Sequence, residues 1–305
     1  MILSIKPLGS LHLPIRQIPS PTIRISYEQQ ALIVPPPSTV VGALAATLDI
    51  LLSSRENDLG GLIELHSCLA KRFGGEFKIW GPLIKSVNRE EYFIAVRGGL
   101  CPLHGLERYA EQTREKYRGI SYDWEGVVEK VWSLDKIGIK MVPEKGVAEE
   151  GYLYVNKYTA ASTKSPIEYL YELYVAKPRV VKTVIRLGGE GRLVILKLEE
   201  GSLPIKEKGG KASTFVLLSP TILPSLTSPT PVSNIIVGKE GAKAKKVYGR
   251  VEIIGLGFSE ALKKRRVAKP QLLPGTLIEF DGQEDSITWF GELTELGYGS
   301  ALGIQ

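Results

Sequence analysis

The sequence is poor in the residue types that carry out most protein chemistry. Its 305 residues include only two cysteines and three histidines. The cysteines, Cys68 and Cys101, are far apart, lack CxxC spacing and have no histidine cluster beside them. This pattern supports neither a zinc site nor a disulfide framework. We therefore expect no metal and few candidates for acid–base catalysis.

Long apolar runs are also missing. The longest, from Val40 to Leu52, is interrupted by Asp49 and is too short to span a bilayer. The first residues do not combine a basic region with an apolar core, as a signal peptide would. With 43% apolar residues the chain can still bury a large core, and its length suits two ordinary domains. We expect a globular, cytoplasmic protein without a membrane segment.

Motifs that hold nucleotide cofactors are incomplete. Gly255, Gly257 and the stretch GGEGR resemble pieces of a dinucleotide-binding fingerprint. Neither leads into an apolar crossover helix with an acidic residue about 20 positions later, as that fold requires. The patterns GxxxxGK[ST], GxSxG and HExxH do not occur. The sequence thus predicts no cofactor.

Positive charge is concentrated in one segment. The formal net charge of the chain is +6, yet residues 238–270 alone contain ten basic and three acidic side chains. Lys263, Lys264, Arg265 and Arg266 are consecutive there, and Lys269 follows. Clustered basic charge is typical of proteins that bind a phosphate backbone, but it also occurs on surfaces that only aid solubility. Both interpretations are open at this point.

Three prolines stand directly before a Ser-Thr pair in the stretch LIVPPPSTVVGALAATL. Prolines cannot donate to a strand ladder, so they end the β-prone run before them. Beyond them, apolar residues recur at helical spacing, which predicts a helix from about Thr39 to Ser53 with Ser38 as its N-cap. Either this is a core helix with a rigid start, or its N-terminal amides at Ser38 and Thr39 face a phosphate.

Most of the remaining chain is typical of β-structure. Aromatic and β-branched residues predict strands at MILSIKPLG, FKIWGPLIKSV, EYFIAVRG, GYLYVNKY, IEYLYELYVAK and LPGTLIEF. The tyrosines between Tyr152 and Tyr174 either stack on bases or fill a core. GLERYAEQTREKYRG predicts a peripheral helix. KTVIRLGGEGRLVILKL predicts a hairpin, whose turn could equally let RNA approach the backbone.

Several of these segments, in this order, resemble one family. They are PLGSLHLPIRQ, PPPSTVVGAL, LGGEGR, GLGFSEALKKRRVAKPQLLPGTLIEF and LGYGSALG. Together they look like the RAMP superfamily of CRISPR-associated proteins, and within it the Cas5-like group that supplies the third subunit of type III-B Cmr effector complexes. The resemblance spans nearly the whole chain at these landmarks, whereas residues 108–145 and 220–246 look individual.

The resemblance implies an α+β fold of two ferredoxin-like (RRM-like) domains with antiparallel sheets and inserted loops, over residues 1–177 and 178–305. It also implies binding of the 5′ handle of the crRNA, and docking to the large polymerase-like subunit and a backbone RAMP subunit. The residues that it assigns to RNA are Arg16, Ser38, Thr39, Gly189, Gly191, Arg192, Gly255, Gly257, Lys263, Lys264, Arg265, Arg266 and Lys269. For Ser38 and Thr39, at the start of the first helix, it implies contact with either RNA or the partner subunit. The N-terminal loop departs from the family pattern, because it has Gly9 and His12 where relatives often have an acidic and an aromatic residue.

Three functions are compatible with these observations. The first is a non-catalytic RNA-binding subunit of a ribonucleoprotein. The second is a metal-independent endoribonuclease, which other RAMP proteins provide, with His12 as general acid or base and Arg16 or Lys6 stabilising charge. The third is a scaffold for two protein partners, whose basic face is incidental. We favour the first, because basic clusters and glycine loops occur here in a chain poor in catalytic residues.

Overall fold

The computed structural model describes residues 1–13, 27–29, 32–52, 59–97, 99–120, 125–131, 133–142, 147–159, 166–188, 191–205, 210–224, 231–239, 241–259 and 264–304. These ranges contain the helices α1 (Pro37–Thr47), α2 (Leu59–Arg72) and α3 (Leu106–Tyr117). Their strands are β1 (Ile2–Pro7), β2 (Tyr27–Gln29), β3 (Phe77–Ser86), β4 (Glu91–Val96), β5 (Gly99–Pro102), β6 (Ser133–Val142), β7 (Val147–Thr159), β8 (Ile167–Val175), β9 (Val181–Leu187), β10 (Arg192–Glu199), β11 (Lys211–Leu217), β12 (Thr221–Ile222), β13 (Ala244–Tyr248), β14 (Val251–Gly255), β15 (Phe258–Ser259), β16 (Lys264–Arg265), β17 (Ala268–Leu272), β18 (Leu277–Asp285), β19 (Ile287–Trp289) and β20 (Ser300–Ile304). Short 3-10 helices cover Leu103–Gly105, Val232–Asn234 and Thr294–Leu296.

The largest element is a seven-stranded antiparallel sheet with the order β5-β4-β3-β8-β1-β10-β9. A second sheet has the order β13-β18-β11-β20-β19, and its pairs are antiparallel too. The predicted α+β class with antiparallel sheets is therefore confirmed. Strands from both sides of the predicted boundary at residues 177 and 178, β8 and β9, belong to the same sheet. The division into two domains stays a prediction.

The two large sheets share one apolar core. It contains Trp80 and Ile94 of the first sheet together with Val216 and Leu302 of the second. Trp80 is fully buried, and its indole N–H donates a hydrogen bond of 3.0 Å to the carbonyl oxygen of Ala301. A buried indole N–H needs such a partner, so this bond links the two sheets within their shared core.

Helix α3 packs into this core, so the prediction that it is peripheral was wrong. Tyr109 is buried and donates a 2.7 Å hydrogen bond to the carbonyl oxygen of Gly275, while Arg114 forms a 2.6 Å ion pair with Glu279. The sequence predicted the helix itself correctly. The peripheral position was predicted from the narrow apolar stripe of the helix. Aromatic and arginine side chains, however, supply much of its contact with the second sheet.

The opposite face of the seven-stranded sheet is covered by α1 and α2. Side chains of β1 and β10 pack there with the helices, and the buried helix residues include Val40, Leu44, Leu62, Leu65 and Leu69. Helix α2 was missed by the sequence reading, although the last three of these leucines follow helical spacing. The tyrosines Tyr169 and Tyr171 are also buried in this core, which confirms core filling for these two.

Helix α1 begins two residues earlier than predicted. Its N-cap is Pro36, with Pro37 as the first helical residue and no side-chain cap, so the prediction of Ser38 as N-cap was wrong. Proline suits the first helical position because its fixed φ is helical and its missing N–H would have no helical partner. The helix ends at Thr47 instead of Ser53, and Asp49 has a φ of 53°, which a continuing helix does not allow.

Three smaller sheets complete the described part of the chain. They have the orders β12-β17-β14, β15-β16 and β2-β7-β6. None of the described helices is long and apolar enough to cross a membrane.

Candidate nucleic-acid interface

The basic segment forms a long β-hairpin. Strands β14 and β17 pair antiparallel, and the pairing continues outward through β15 and β16, where Phe258 lies opposite Arg265. Between these pairs, the backbone N–H of Arg266 donates a 2.9 Å hydrogen bond to the carbonyl oxygen of Gly257. We call residues 251–272 the basic hairpin. Its returning half carries Lys264, Arg265, Arg266 and Lys269 in sequence order.

The base of the basic hairpin is buried in the apolar core that α1 and α2 form with the seven-stranded sheet. Ile254 is 4% exposed and Leu256 is fully buried, and both pack in the same cluster as α1 and α2. Burying two aliphatic side chains of this size stabilises the attachment by roughly 3–6 kcal/mol. The base of the hairpin is therefore packed firmly against the rest of the protein.

Ser38 and Gly257, which are 219 positions apart in the sequence, meet at this base. Gly257 has a φ of +95°, and a Cβ added to it would lie 3.3 Å from the Ser38 Oγ. Glycine is suited to this position, both because its φ is positive and because the serine comes close. The structure thus brings together two motifs that the sequence placed separately, PPPST and GLGF.

Tyr298 is the third member of this contact, and the sequence reading did not select it. Its buried phenol lies beside Ser38 and near the charge of Arg266. Burial raises the pKa of Tyr298, while Ser38 and Arg266 limit the rise, so the phenol stays neutral. The sequence signal that could have identified Tyr298 is its position between Gly297 and Gly299 in LGYGSALG. In the structure, both glycines have positive φ.

The Ser38 hydroxyl is enclosed. Only 7% of Ser38 is exposed, and its Oγ has no partner of good hydrogen-bond geometry within the described residues, although the Tyr298 phenol is adjacent. Thr39 is half-buried, and its N–H donates a 2.9 Å hydrogen bond to the carbonyl oxygen of Pro36. In the described structure, Ser38 therefore contacts the hairpin base, and contact of either residue with RNA stays a prediction.

Arg266 connects the hairpin with α2. Its Nη2 lies 3.7 Å from the point where a Cβ on Gly61, in the first turn of α2, would be. A side chain at Gly61 would be in ordinary van der Waals contact with the guanidinium. Arg266 is half-buried and is held by further interactions. Sequence reasoning did not select Gly61, because a glycine pair at a helix start is also common in plain turns.

The GGEGR segment forms the predicted hairpin turn. Strands β9 and β10 pair antiparallel, and Gly188 and Gly191 have φ values of 71° and 57°. A Cβ on Gly188 would lie 3.0 Å from the carbonyl oxygen of His12, so the turn packs on the N-terminal loop. Arg192, the first residue of β10, is half-buried and has interaction partners.

The remaining predicted residues divide into two groups. Gly255 lies on β14 opposite Ala268, with no atom within 4 Å of an added Cβ, and Lys269 lies half-buried on β17 opposite Ile254. Arg16, Gly189 and Lys263 lie outside the described residues.

His12, the candidate acid or base, is 5% exposed. The described residues contain no group of three or more His, Cys, Asp or Glu side chains that could hold a metal ion.

Comparison with known proteins identifies the family. The profile of the CRISPR-associated protein family Cas_Cmr3 matches residues 98–305. A "CRISPR system CMR subunit Cmr3" from Saccharolobus solfataricus is 23% identical over 278 residues, which are 90% of this chain and 84% of the relative.

Solved structures show the same fold. A chain in the cryo-EM structure of the type III-B Cmr-beta complex bound to cognate target RNA is similar with a TM-score of 0.62 and 22% identity, over 92% of this chain and 86% of that one. The corresponding structure with AMPPnP gives a TM-score of 0.61 over the same shares. The chain belongs to the Cmr3 family of CRISPR-associated RAMP proteins.

Proposed function

We propose that this chain is a non-catalytic RNA-binding subunit of a type III-B Cmr effector complex, and that its basic hairpin binds the 5′ handle of the crRNA. The observation that carries the proposal is the anchoring of the hairpin base, where Ile254 and Leu256 are buried in the core and Gly257 packs beside Ser38. This anchoring fixes the base of the hairpin whose sequence carries the consecutive cations. Lysine and arginine neutralise phosphates, and a fixed position lets them bind one RNA geometry better than others.

Family membership supports the wider assignment. The relative from Saccharolobus solfataricus is named as a subunit of a CMR system, and the similar cryo-EM chain belongs to a complex bound to RNA. We infer that this chain docks to the large polymerase-like subunit and to a backbone RAMP subunit, and that its two domains are ferredoxin-like. The non-catalytic assignment is supported by the enclosure of His12, because a general base must reach its substrate.

Replacement of the hairpin cations tests RNA binding. Changing Lys263, Lys264, Arg265 and Arg266 to alanine should weaken binding of handle-containing RNA by tenfold or more. The slope of log K against log salt should fall by about 3, since each phosphate contact on single-stranded RNA contributes about 0.7. Fluorescence anisotropy at several salt concentrations measures both. A variant that retains Arg266 separates loss of cations from disturbance of the contact with α2.

A matched control removes the same charge elsewhere. Lys243, Lys245, Lys246 and Arg250 are exposed cations of the same segment but lie outside the basic hairpin. Their replacement by alanine should leave the affinity and slope close to those of the wild type. Equal losses of RNA affinity in both variants would show that only net charge matters. No loss of affinity in the hairpin variants would refute the proposed site.

Incubation with repeat RNA in EDTA tests the non-catalytic assignment. We expect no site-specific cleavage. Cleavage that is lost on His12→Ala would instead establish the endoribonuclease function.

A further inference from the structure

The seven-stranded sheet has an open face near its β9 edge. There, β1, β10 and β9 are neighbours, and alternate side chains point away from the helices. The pairing register places Lys6, Ile195 and Val184 in one row across the three strands, and Leu193 beside Arg186 in the next. The second sheet covers the β3, β4 and β8 part of this face but leaves these rows accessible.

Large aliphatic side chains are exposed on this face. Val180 is 71% exposed, Val184 and Leu8 are each 55% exposed, and Leu193 is 50% exposed. Val184 lies opposite Ile195 on β10, two residues from Leu193, whose carbonyl oxygen accepts a hydrogen bond from the Leu8 N–H, so these residues form a contiguous surface. Val180 precedes β9 at the other end of the strand. A contiguous apolar surface on a folded chain usually marks a contact site for another molecule.

The same face is positively charged. Along β9 the outward side chains are Lys182, Val184 and Arg186, all exposed. Among the described residues, neither cation takes part in an ion pair, whereas Lys197 on β10 is paired with Glu199. A binding partner that covers Val184 must therefore bring negative charge on both sides of an apolar group.

The outer edge of β9 supplies the backbone for such a partner. No described strand pairs with it, and an edge strand presents a row of N–H and C=O groups ready for pairing. A second copy of β9, paired antiparallel about Val184, would set Lys182 against Arg186, and like charges in directly opposite positions repel. RNA would match the cations but not the aliphatic groups, and the rows contain no aromatic side chain on which a base could stack.

We propose that the β9 edge binds an extended segment of a partner protein as an additional strand. On the face shared with Val184, this segment presents an acidic, an aliphatic and an acidic side chain in alternation, opposite Lys182, Val184 and Arg186. Backbone hydrogen bonds give affinity and the alternating side chains give selectivity, as in other cases of strand addition. The inference rests on the proposed function only in that a complex supplies the partner, and the basic hairpin takes no part in it.

A labelled peptide tests the proposal with the full chain. The probe is about seven residues long and has Glu-Val-Glu on one strand face and threonine on the other. Fluorescence anisotropy should show binding to the wild type that is at least tenfold weaker for the double variant Lys182→Glu and Arg186→Glu. A peptide with Lys-Val-Lys should bind that variant as the first peptide binds the wild type. Arg108→Glu with Arg118→Glu, at two exposed positions on α3 and directly after it, is the control and should change neither affinity.

Two further measurements make the test decisive. N-methylation of the peptide amides that face β9 should abolish binding, and binding that persists would refute strand addition. The Lys182 and Arg186 variant should bind handle-containing RNA with the same affinity as the control variant. A loss of RNA affinity in the Lys182 and Arg186 variant alone would show that this face binds nucleic acid instead. No peptide binding by the wild type refutes the edge site alone, whereas peptide binding without RNA binding refutes the proposed function alone.

Discussion

The indole N–H of Trp80 and the carbonyl oxygen of Ala301, 221 positions apart in the sequence, are joined by a 3.0 Å hydrogen bond at the interface of the two large sheets. Trp80 is fully buried, so water cannot replace this bond. The contact between the sheets thus includes one specific polar interaction within an otherwise apolar core.

Replacement of Trp80 by phenylalanine should lower the free energy of unfolding by about 1–3 kcal/mol, because the Ala301 carbonyl loses a buried partner. Urea denaturation measures the change. Trp289→Phe is the control: its indole also donates to a backbone carbonyl, that of Ile79, but Trp289 is only half-buried and water can substitute. A loss for Trp289→Phe as large as that for Trp80→Phe would contradict this explanation.

The base of the basic hairpin should not tolerate a side chain at Gly257. Gly257→Ala should lower the free energy of unfolding by about 1–2 kcal/mol, since the left-handed backbone is unfavourable for residues with a Cβ. The nearby Ser38 Oγ adds to the cost. Gly255→Ala is the matched control, because no atom lies within 4 Å of its added Cβ, and its effect should stay within about 0.5 kcal/mol. Equal effects in urea denaturation would argue against the special role of Gly257.

Ser38→Ala separates a structural role of Ser38 from direct RNA contact. The hydroxyl is buried without a well-formed hydrogen bond among the described residues, so its removal should change the free energy of unfolding by less than about 0.5 kcal/mol. Binding of handle-containing RNA should be unchanged as well. A tenfold loss of RNA affinity at unchanged stability would show that the hydroxyl contacts RNA.

The two thiols should differ in reactivity and in their effect on stability. Burial raises the pKa of Cys101 to about 12, whereas Cys68 is half-buried on α2. In the native protein at about pH 8, a disulfide reagent should modify Cys68 and leave Cys101 unmodified until the chain unfolds, because the thiolate is the reactive form.

Because the folded-state pKa of Cys101 lies above the unfolded value of about 8.5, its stabilising contribution is complete below that value and is lost as the pH rises towards 12. Between about pH 8 and pH 10, the wild type should lose about 2 kcal/mol more than Cys101→Ala. Urea denaturation at the two pH values gives this difference. An equal loss in the two proteins would show that Cys101 ionises normally.

Local patterns in the sequence predicted the elements that depend on local physics. The strands β1, β3, β4, β8 and β18 coincide with runs of β-branched and aromatic residues, and the glycine turn between β9 and β10 has the expected positive φ. Helix α2 was missed even though Leu62, Leu65 and Leu69 recur at helical spacing. Ser38 was misplaced as an N-cap because a proline can take the first helical position.

The candidate site was predictable only in part. The basic cluster and the glycines identified the hairpin, since charge and backbone freedom are properties of residue type. Tyr298 and Gly61 were not selected, because they come close to Ser38 and Arg266, which are distant in sequence, only when the chain folds.

The sequence by itself therefore determined the class of fold, the concentration of positive charge and the family to which the motifs point, because periodicity, composition and motif order are written along the chain. Only the tertiary structure decided that Ser38 faces the hairpin base, that α3 belongs to the core and that no described strand pairs with the outer edge of β9. The physical reason is that such contacts depend on how strands pair and sheets pack, and many chain segments with the same local pattern could satisfy those contacts.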